Sequence, residues 1–305
     1  MDKIINTIQP QAPFNFDLTA GYHTYFRGSY GSDSLDDGTY QRLLDLGDRL
    51  VLASVRSVGT VEVPELTVEI QGDKVSADDA AAATEQVAWV LGTNQDLAPF
   101  YNMVSTDPVM SQVVNRFHGL HLPHTASVWE ALVLAVLGQQ IATGVARIIR
   151  TLLIETYGSR RQFDGKNYFS FPRPDALELA TIEELRHLKL SQRKAEYVLG
   201  IAQAACDSTG IMESLQDLSD QEVVQRVTEI RGVGKWTAQW VLVRGLGRPD
   251  ALPLGDLALR RIVSSLYFEG NVINDTQLDE FALHWSPWRT YATVYLFTAL
   301  RSGMG

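Results

Sequence analysis

The chain has 305 residues, 45% of them apolar and 20% charged, and a formal net charge of −10 at pH 7. That length is enough for a large core and two or three domains, and no apolar run approaches membrane-spanning length. The acidic balance weighs against nucleic acid as a partner unless cations gather locally, because phosphate binding is driven by cations and counterion release. The single cysteine, Cys206, excludes intramolecular disulfides, a four-cysteine iron–sulfur cluster and a cysteine-rich zinc site. Cys206 follows the apolar run Ile201–Ala205 and reads as a small core residue. The start, Met1-Asp2-Lys3, leads into a polar, proline-containing stretch without a signal segment, so the expected location is cytoplasmic.

From about Phe14 to Lys74 the pattern is strand-like. Leu50–Val58 and Leu66–Ile70 are β-rich runs, with turn signals at Gly59 and Gln71-Gly72-Asp73. Ser76 to Leu91 is alanine-rich and helical, ending at Gly92. Beyond Pro99 nearly every segment reads as helix. Ser127 with Glu130, and Thr181 with Glu184, are capping-box pairs, and Ser286-Pro287 reads as an N-cap with proline at the first helical position. The segments 158–174 and 245–256 read as loops. Charge is uneven: Asp33, Asp36, Asp37, Asp45, Asp48, Asp73, Asp78 and Asp79 crowd the N-terminal third. Arg231, Lys235, Arg244, Arg248, Arg260, Arg261 and Arg289 fall in the later part, where they suggest a local basic face.

One stretch, Ile230-Arg231-Gly232-Val233-Gly234-Lys235-Trp236-Thr237-Ala238, stops one helix and starts another. The helix before it, Ser219 to Glu229, opens with a Ser219/Glu222 capping box. Gly232 and Gly234 permit backbone angles closed to other residues and allow close approach of another backbone. The first amides of the helix that follows lack partners within it, and its dipole favours an anion there. A DNA phosphate suits such a terminus without any base contact, which anchors the duplex independently of sequence. Asp256 stands 22 residues beyond Gly234 in Pro253-Leu254-Gly255-Asp256-Leu257. By position it is an N-cap for a helix over 257–266. It is also a single carboxylate near a phosphate-binding turn.

The hairpin and its downstream aspartate resemble the helix-hairpin-helix superfamily of DNA base-excision glycosylases, most closely the DNA-3-methyladenine glycosylase II family. The resemblance covers most of the chain. Trp129-Glu130-Ala131-Leu132-Val133 leading to Leu137-Gly138-Gln139-Gln140-Ile141 is similar to the family's helix and DNA-facing turn. Trp285-Ser286-Pro287-Trp288-Arg289-Thr290-Tyr291-Ala292 is similar to its C-terminal W-x-P-W-R-x-Y-A signature. The implied fold is an α+β, TATA-binding-protein-like domain over 1–98, followed by a mostly α-helical two-lobed region. One lobe, 125–248, carries the helix-hairpin-helix; the other, 99–124 with 249–305, carries the acid.

The resemblance implies that Asp256 is the catalytic carboxylate. Cleaving an N-glycosidic bond builds positive charge on the sugar, and a fixed carboxylate beside the anomeric carbon stabilises that charge, orients and deprotonates water, or both. An alkylated purine is already electron-poor and leaves without a strong general acid. Members that also cut the backbone carry a Schiff-base lysine two residues past the second hairpin glycine. Trp236 stands there, and Lys235 falls one place early, about 100° away around the helix. A monofunctional hydrolase follows. Trp236, Trp240 and Phe297 match base-pocket aromatics, Phe297 standing where other members carry tryptophan; a base flipped from the duplex stacks on such faces. Gln139 and Gln140 match the place where a side chain fills the gap left by that base. Gly232, Gly234, Lys235 and Thr237 are the expected phosphate contacts. The resemblance further implies a monovalent cation on the carbonyls of Thr228, Ile230 and Val233. The implied partner is double-stranded DNA with damaged bases, and the expected state is a monomer. Two other readings stay open: a glycosylase for oxidised purines, and a non-catalytic module that uses the hairpin only as a phosphate clamp.

Overall fold

The structure is a computed structural model that describes residues 1–26, 28–207, 212 and 215–304. Its first part is a six-stranded antiparallel sheet built from β1 (Asp2–Ile8), β2 (Ser29–Tyr30), β3 (Asp33–Asp36), β4 (Thr39–Asp45), β5 (Leu50–Ser57) and β6 (Leu66–Gly72), in the order β1-β6-β5-β4-β3-β2. β1 lies ahead of the stretch, from about Phe14, that reads as strand-like. Ile4, Asn6 and Ile8 alternate with more exposed neighbours, and the strand pairs along its whole length with β6, Ile4 opposite Ile70. A helix, α1 (Phe16–His23), interrupts the stretch that reads as strand. The Asn15 side chain caps it by accepting the Leu18 amide.

α2 (Ala77–Val90) lies against β1, β5 and β6. Its capping box joins Ser76 to Asp79, and its apolar face supplies Ala80, Ala83, Val87 and Val90 to a core shared with Leu44, Val51, Val55, Val68 and Ile70. Gly92 ends it with φ +59, where a Cβ would stand 2.5 Å from the Leu122 carbonyl oxygen.

The remaining helices are α3 (Ala98–Val104), α4 (Met110–Arg116), α5 (Val128–Gly138), α6 (Thr143–Tyr157), α7 (Pro174–Glu178), α8 (Ile182–His187), α9 (Gln192–Cys206), α10 (Asp220–Thr228), α11 (Lys235–Trp240), α12 (Leu257–Tyr267), α13 (Asp275–Ala282) and α14 (Arg289–Arg301). They share one apolar core in which α5 and α14 are buried on nearly every side. Thr181 and Glu184 form the expected capping box at α8.

Four expectations are corrected here. The segment 158–174 is not all loop: β7 (Arg160–Phe163) and β8 (Lys166–Phe169) make a hairpin turned by Asp164 (φ +48) and Gly165 (φ +80). Phe163 packs on Leu43 and Leu52, and the Tyr168 hydroxyl donates to Gln41, so the hairpin covers the outer face of the sheet. Ser286 is not the N-cap of a helix. α14 begins at Arg289, and the Ser286 hydroxyl instead donates to Asp250. Cys206 is exposed at the end of α9, because the buried face of that helix is Ala195, Val198, Ile201 and Ala202. The box expected at α5 is half formed: Ser127 accepts the Glu130 amide, but the Glu130 carboxylate turns to the Ala126 amide and to Arg42.

That diversion joins the sheet to the helices. Asp33 and Arg42 from the sheet, with Glu130 of α5 and Arg150 of α6, form a buried ion cluster. Arg42 donates to Asp33 at 2.8 Å and to Glu130 at 2.5 Å, and Arg150 lies 3.6 Å from Asp33 and 3.7 Å from Glu130. Asp33 is therefore no part of an acidic surface. Burial pushes its carboxyl up, but Arg42, His23 and Arg150 outweigh burial and hold it down to about 2. Two carboxylates and two guanidiniums balance, which makes burial of all four tolerable. Arg42→Met would leave the acids with half their compensation. Urea unfolding at pH 7 should show a loss of about 3–5 kcal/mol, shrinking toward pH 4 as an orphaned Asp33 takes up a proton.

Candidate active site

The hairpin between α10 and α11 is built as the glycines require. The Ser219/Glu222 box opens α10, whose end tightens through bonds from the Ile230 amide to Val227 and from the Val233 amide to Ile230. Gly232 has φ +93, and a Cβ there would stand 2.1 Å from the Tyr197 ring, so neither conformation nor space admits another residue. Gly234 is different. It is exposed and extended (φ −95, ψ 178), with nothing within 4 Å of a built Cβ, which corrects the expectation that the turn itself forbids a side chain there. What Gly234 leaves open is the approach to the start of α11. As N-cap it offers no side-chain acceptor to the first amides of that helix. α11 passes directly into a π-helical turn over Val241–Gly245.

α9 is the platform beneath the hairpin. Tyr197 lies under Gly232, Glu196 pairs with Arg231 at 3.0 Å, and Lys194 reaches across to donate to the Leu137 carbonyl at the end of α5. Burial pushes the Lys194 ammonium down. Sequence reasoning passed over Lys194 and Tyr197, which lie in an unremarkable amphipathic helix and carry no spacing signal.

Gln139 and Gln140 sit at the turn between α5 and α6, and the structure separates them. The Gln139 side-chain amide donates to the Thr237 hydroxyl at 3.0 Å and to the Gly232 carbonyl at 3.3 Å, tying this turn to the hairpin. Gln140 is exposed, with φ +53. The Thr237 side chain is buried against Gln139, so only its backbone is placed to meet a ligand.

Asp256 lies at the end of a segment that is anchored along its length. The Thr290 hydroxyl accepts the Ala251 amide, and the Gln239 side-chain oxygen accepts the Leu252 amide at 3.0 Å. Arg289 grips Asp250 through two bonds of 2.8 Å; burial pushes the Asp250 carboxyl up, but these bonds win and hold it low. Asp256 is the N-cap of α12: its Oδ1 accepts the Ala258 amide at 2.9 Å and the Leu259 amide at 3.1 Å. Its Oδ2 accepts the indole N–H of Trp236 at 3.1 Å. Cap and hairpin neighbour are thus the same residue.

The aromatics assemble beside it. Trp236 and Trp240 meet edge-on with ring centres 6.3 Å apart, and Trp240 packs on buried Phe297 of α14 at 5.6 Å. Asp256, both tryptophans and Phe297 therefore form one chain of contacts. The basic face is narrower than the sequence suggests. Arg248, Arg260 and Arg289 are held by Asp220, Asp275 and Asp250, and Arg244 lies over the Tyr22 ring. Arg231, Lys235 and Arg261 are exposed. Among the described residues no group of three His, Cys, Asp or Glu side chains is placed to hold a metal. The Ile230 carbonyl already accepts the Val233 amide and keeps a second lone pair, which is compatible with a cation held by carbonyls alone.

Residues 133–288 match the model of the HhH-GPD superfamily of base excision DNA repair proteins. The chain is 31% identical to a DNA-3-methyladenine glycosylase of Bacillus subtilis over 68% of each chain. It is 24% identical to the DNA-3-methyladenine glycosylase 2 of Escherichia coli, over 95% of this chain and 96% of that one. A solved 3-methyladenine DNA-glycosylase from Archaeoglobus fulgidus superimposes with a TM-score of 0.83 at 26% identity, covering 97% of this chain and 98% of that one. The hairpin, the acid beyond it and these likenesses place the chain in the HhH-GPD superfamily of base excision DNA repair proteins, among the DNA-3-methyladenine glycosylases.

Proposed function

We propose that this chain is a monofunctional DNA glycosylase that removes alkylated purines of the 3-methyladenine type from double-stranded DNA, acting as a monomer. The observation that carries the reading is Asp256, a carboxylate fixed by two backbone amides and by an indole from the hairpin itself. In this reading the N-terminal sheet is the TATA-binding-protein-like domain, and the segments 125–248 and 99–124 with 249–305 are the two lobes. The amides of Gly232–Thr237 and the ammonium of Lys235 hold a phosphate of the damaged strand. Gln140 enters the space left by the flipped nucleotide, while Gln139 keeps its turn against the hairpin. The base stacks among Trp236, Trp240 and Phe297. As the N-glycosidic bond lengthens, the base departs with the bonding pair, Asp256 stabilises the positive charge left on the sugar, and water adds to the anomeric carbon while its proton passes to the Asp256 carboxylate. A monovalent cation on the carbonyls of Thr228, Ile230 and Val233 would stiffen the turn and add positive potential at the phosphate.

The test is incubation with duplexes carrying 3-methyladenine, 7-methylguanine, ethenoadenine, hypoxanthine or 8-oxoguanine, with released bases and strand breaks scored separately. Asp256→Asn should lower single-turnover base release by about a hundred- to a thousandfold, by analogy with the loss of other charge-stabilising groups, while Kd for an abasic-site duplex changes little. Release at the wild-type rate would remove Asp256 from the mechanism.

With Trp236 in place of a lysine, borohydride should trap no covalent enzyme–DNA adduct, and strands should break only after alkali. A trapped adduct on the native protein would favour a lyase and the oxidised-purine reading.

The two hairpin glycines should separate in mutagenesis. Gly234→Asp places a negative charge in open space at the phosphate site, so the protein should melt normally but bind every duplex sequence about tenfold more weakly at low salt, the scale of one lost charge contact. Gly232→Ala should instead destabilise the fold by about 1–3 kcal/mol or more, because the left-handed backbone and the Tyr197 ring both oppose a Cβ. Normal DNA binding by Gly234→Asp would mean that the hairpin is only a turn.

A further inference from the structure

We propose that Trp236 is a positioning residue for Asp256, acting through its indole N–H in addition to lending a face to the base pocket. The proposal rests on the glycosylase reading and adds to it a function for one atom. A carboxylate held only by the Ala258 and Leu259 amides is fixed at Oδ1 but can still twist about its Cβ–Cγ bond. The Trp236 N–H at 3.1 Å from Oδ2 removes that freedom. The three donors come from two elements. Two are backbone amides of the first turn of α12, and the third is a side chain from the first turn of α11. Because an indole nitrogen only donates, this contact has one polarity and needs an acceptor oxygen facing it.

The neighbouring tryptophan sharpens the assignment. Trp240, one turn along α11, packs on Phe297, and its buried N–H meets no hydrogen-bond partner among the described residues. Packing alone therefore accounts for Trp240, whereas Trp236 spends its N–H on the acid. The bond also joins the two halves of the site. Whatever fixes the start of α11, a bound phosphate included, fixes through Trp236 the plane of the Asp256 carboxylate, and the charge it presents to the sugar keeps one direction.

The test replaces Trp236 by benzothienylalanine, which keeps the bicyclic shape and stacking face but puts sulfur where the N–H was. Single-turnover base release should fall about tenfold, the scale of one hydrogen bond to a charged group, with Kd for an abasic-site duplex within twofold of wild type. Trp236→Phe, which also shortens the wall, should fall further. An independent arm uses protein labelled with ¹⁵N-tryptophan, the Trp236 indole resonance being assigned by its loss in Trp236→Phe. In Asp256→Ala that indole proton should move upfield and exchange faster with water, while the other indole resonances stay in place. A benzothienylalanine protein as fast as wild type, or a Trp236 indole indifferent to Asp256→Ala, would overturn the proposal. A wild-type protein inactive on every damaged duplex overturns the glycosylase reading and this proposal with it. An active wild type with an insensitive isostere overturns this proposal alone.

Discussion

The site depends on where one carboxylate is held. Asp256 both caps a helix and meets the hairpin, and it can do both because its two oxygens are divided between them. Oδ1 satisfies the first amides of α12, and Oδ2 stays on the side of the hairpin, where Trp236 meets it. A capping interaction contributes about 1 kcal/mol to a helix, so the fold itself favours keeping the acid in place. The segment before it is fixed to α11 by Gln239 and to α14 by Thr290, and Arg289 with Asp250 locks the corner. Positioning is therefore distributed over three helices, none of which has to be strained to provide it.

The hairpin side of the site follows a different logic. Gly232 is required by the protein, since its Cβ would collide with Tyr197, whereas nothing in the protein requires Gly234. A residue that the fold does not need, exposed at an uncapped helix start, points to a demand from outside the fold. Among the described residues, Arg231 and Lys235 are the exposed cations of the hairpin itself, and Arg231 is paired with Glu196. Arg248, Arg260 and Arg289 are consumed by internal pairs, and the net charge is −10. With these arginines paired internally, the start of α11 is left with its own backbone amides and the exposed Lys235 as positive groups.

Much of this was legible in the sequence where chemistry is local. The hairpin glycines, the Ser219/Glu222 and Thr181/Glu184 boxes and the capping position of Asp256 are short-range patterns, and the structure reproduces them. Two further elements carry local signals: Asp164-Gly165 is a hairpin dipeptide within the segment 158–174, and β1 shows an alternation that its polar residues obscure. Other features had no signal at all. Asp33 looks like any surface acid until β4 and α5 bring Arg42 and Glu130 to it. Gln139 and Thr237 are far apart in the chain, so nothing local announces that they bond. Cys206 fell at the limit of an apolar run, where a shift of one position around the helix decides between core and solvent.

The ion cluster beneath the sheet has a consequence for dissecting this protein. Glu130 and Arg150 belong to the helical part but find their counter-charges on Arg42 and Asp33, and the β7–β8 hairpin lies over the far side of the same strand, β4. A fragment beginning after α2 would retain every candidate site residue and still expose Phe163, Tyr168 and the apolar faces that met the sheet. It would also leave Glu130 and Arg150 with only each other, 3.7 Å apart, after the loss of Arg42 and Asp33. The N-terminal sheet thus covers apolar and charged groups of the helical part, and expression of that part alone should yield a sticky, poorly soluble chain.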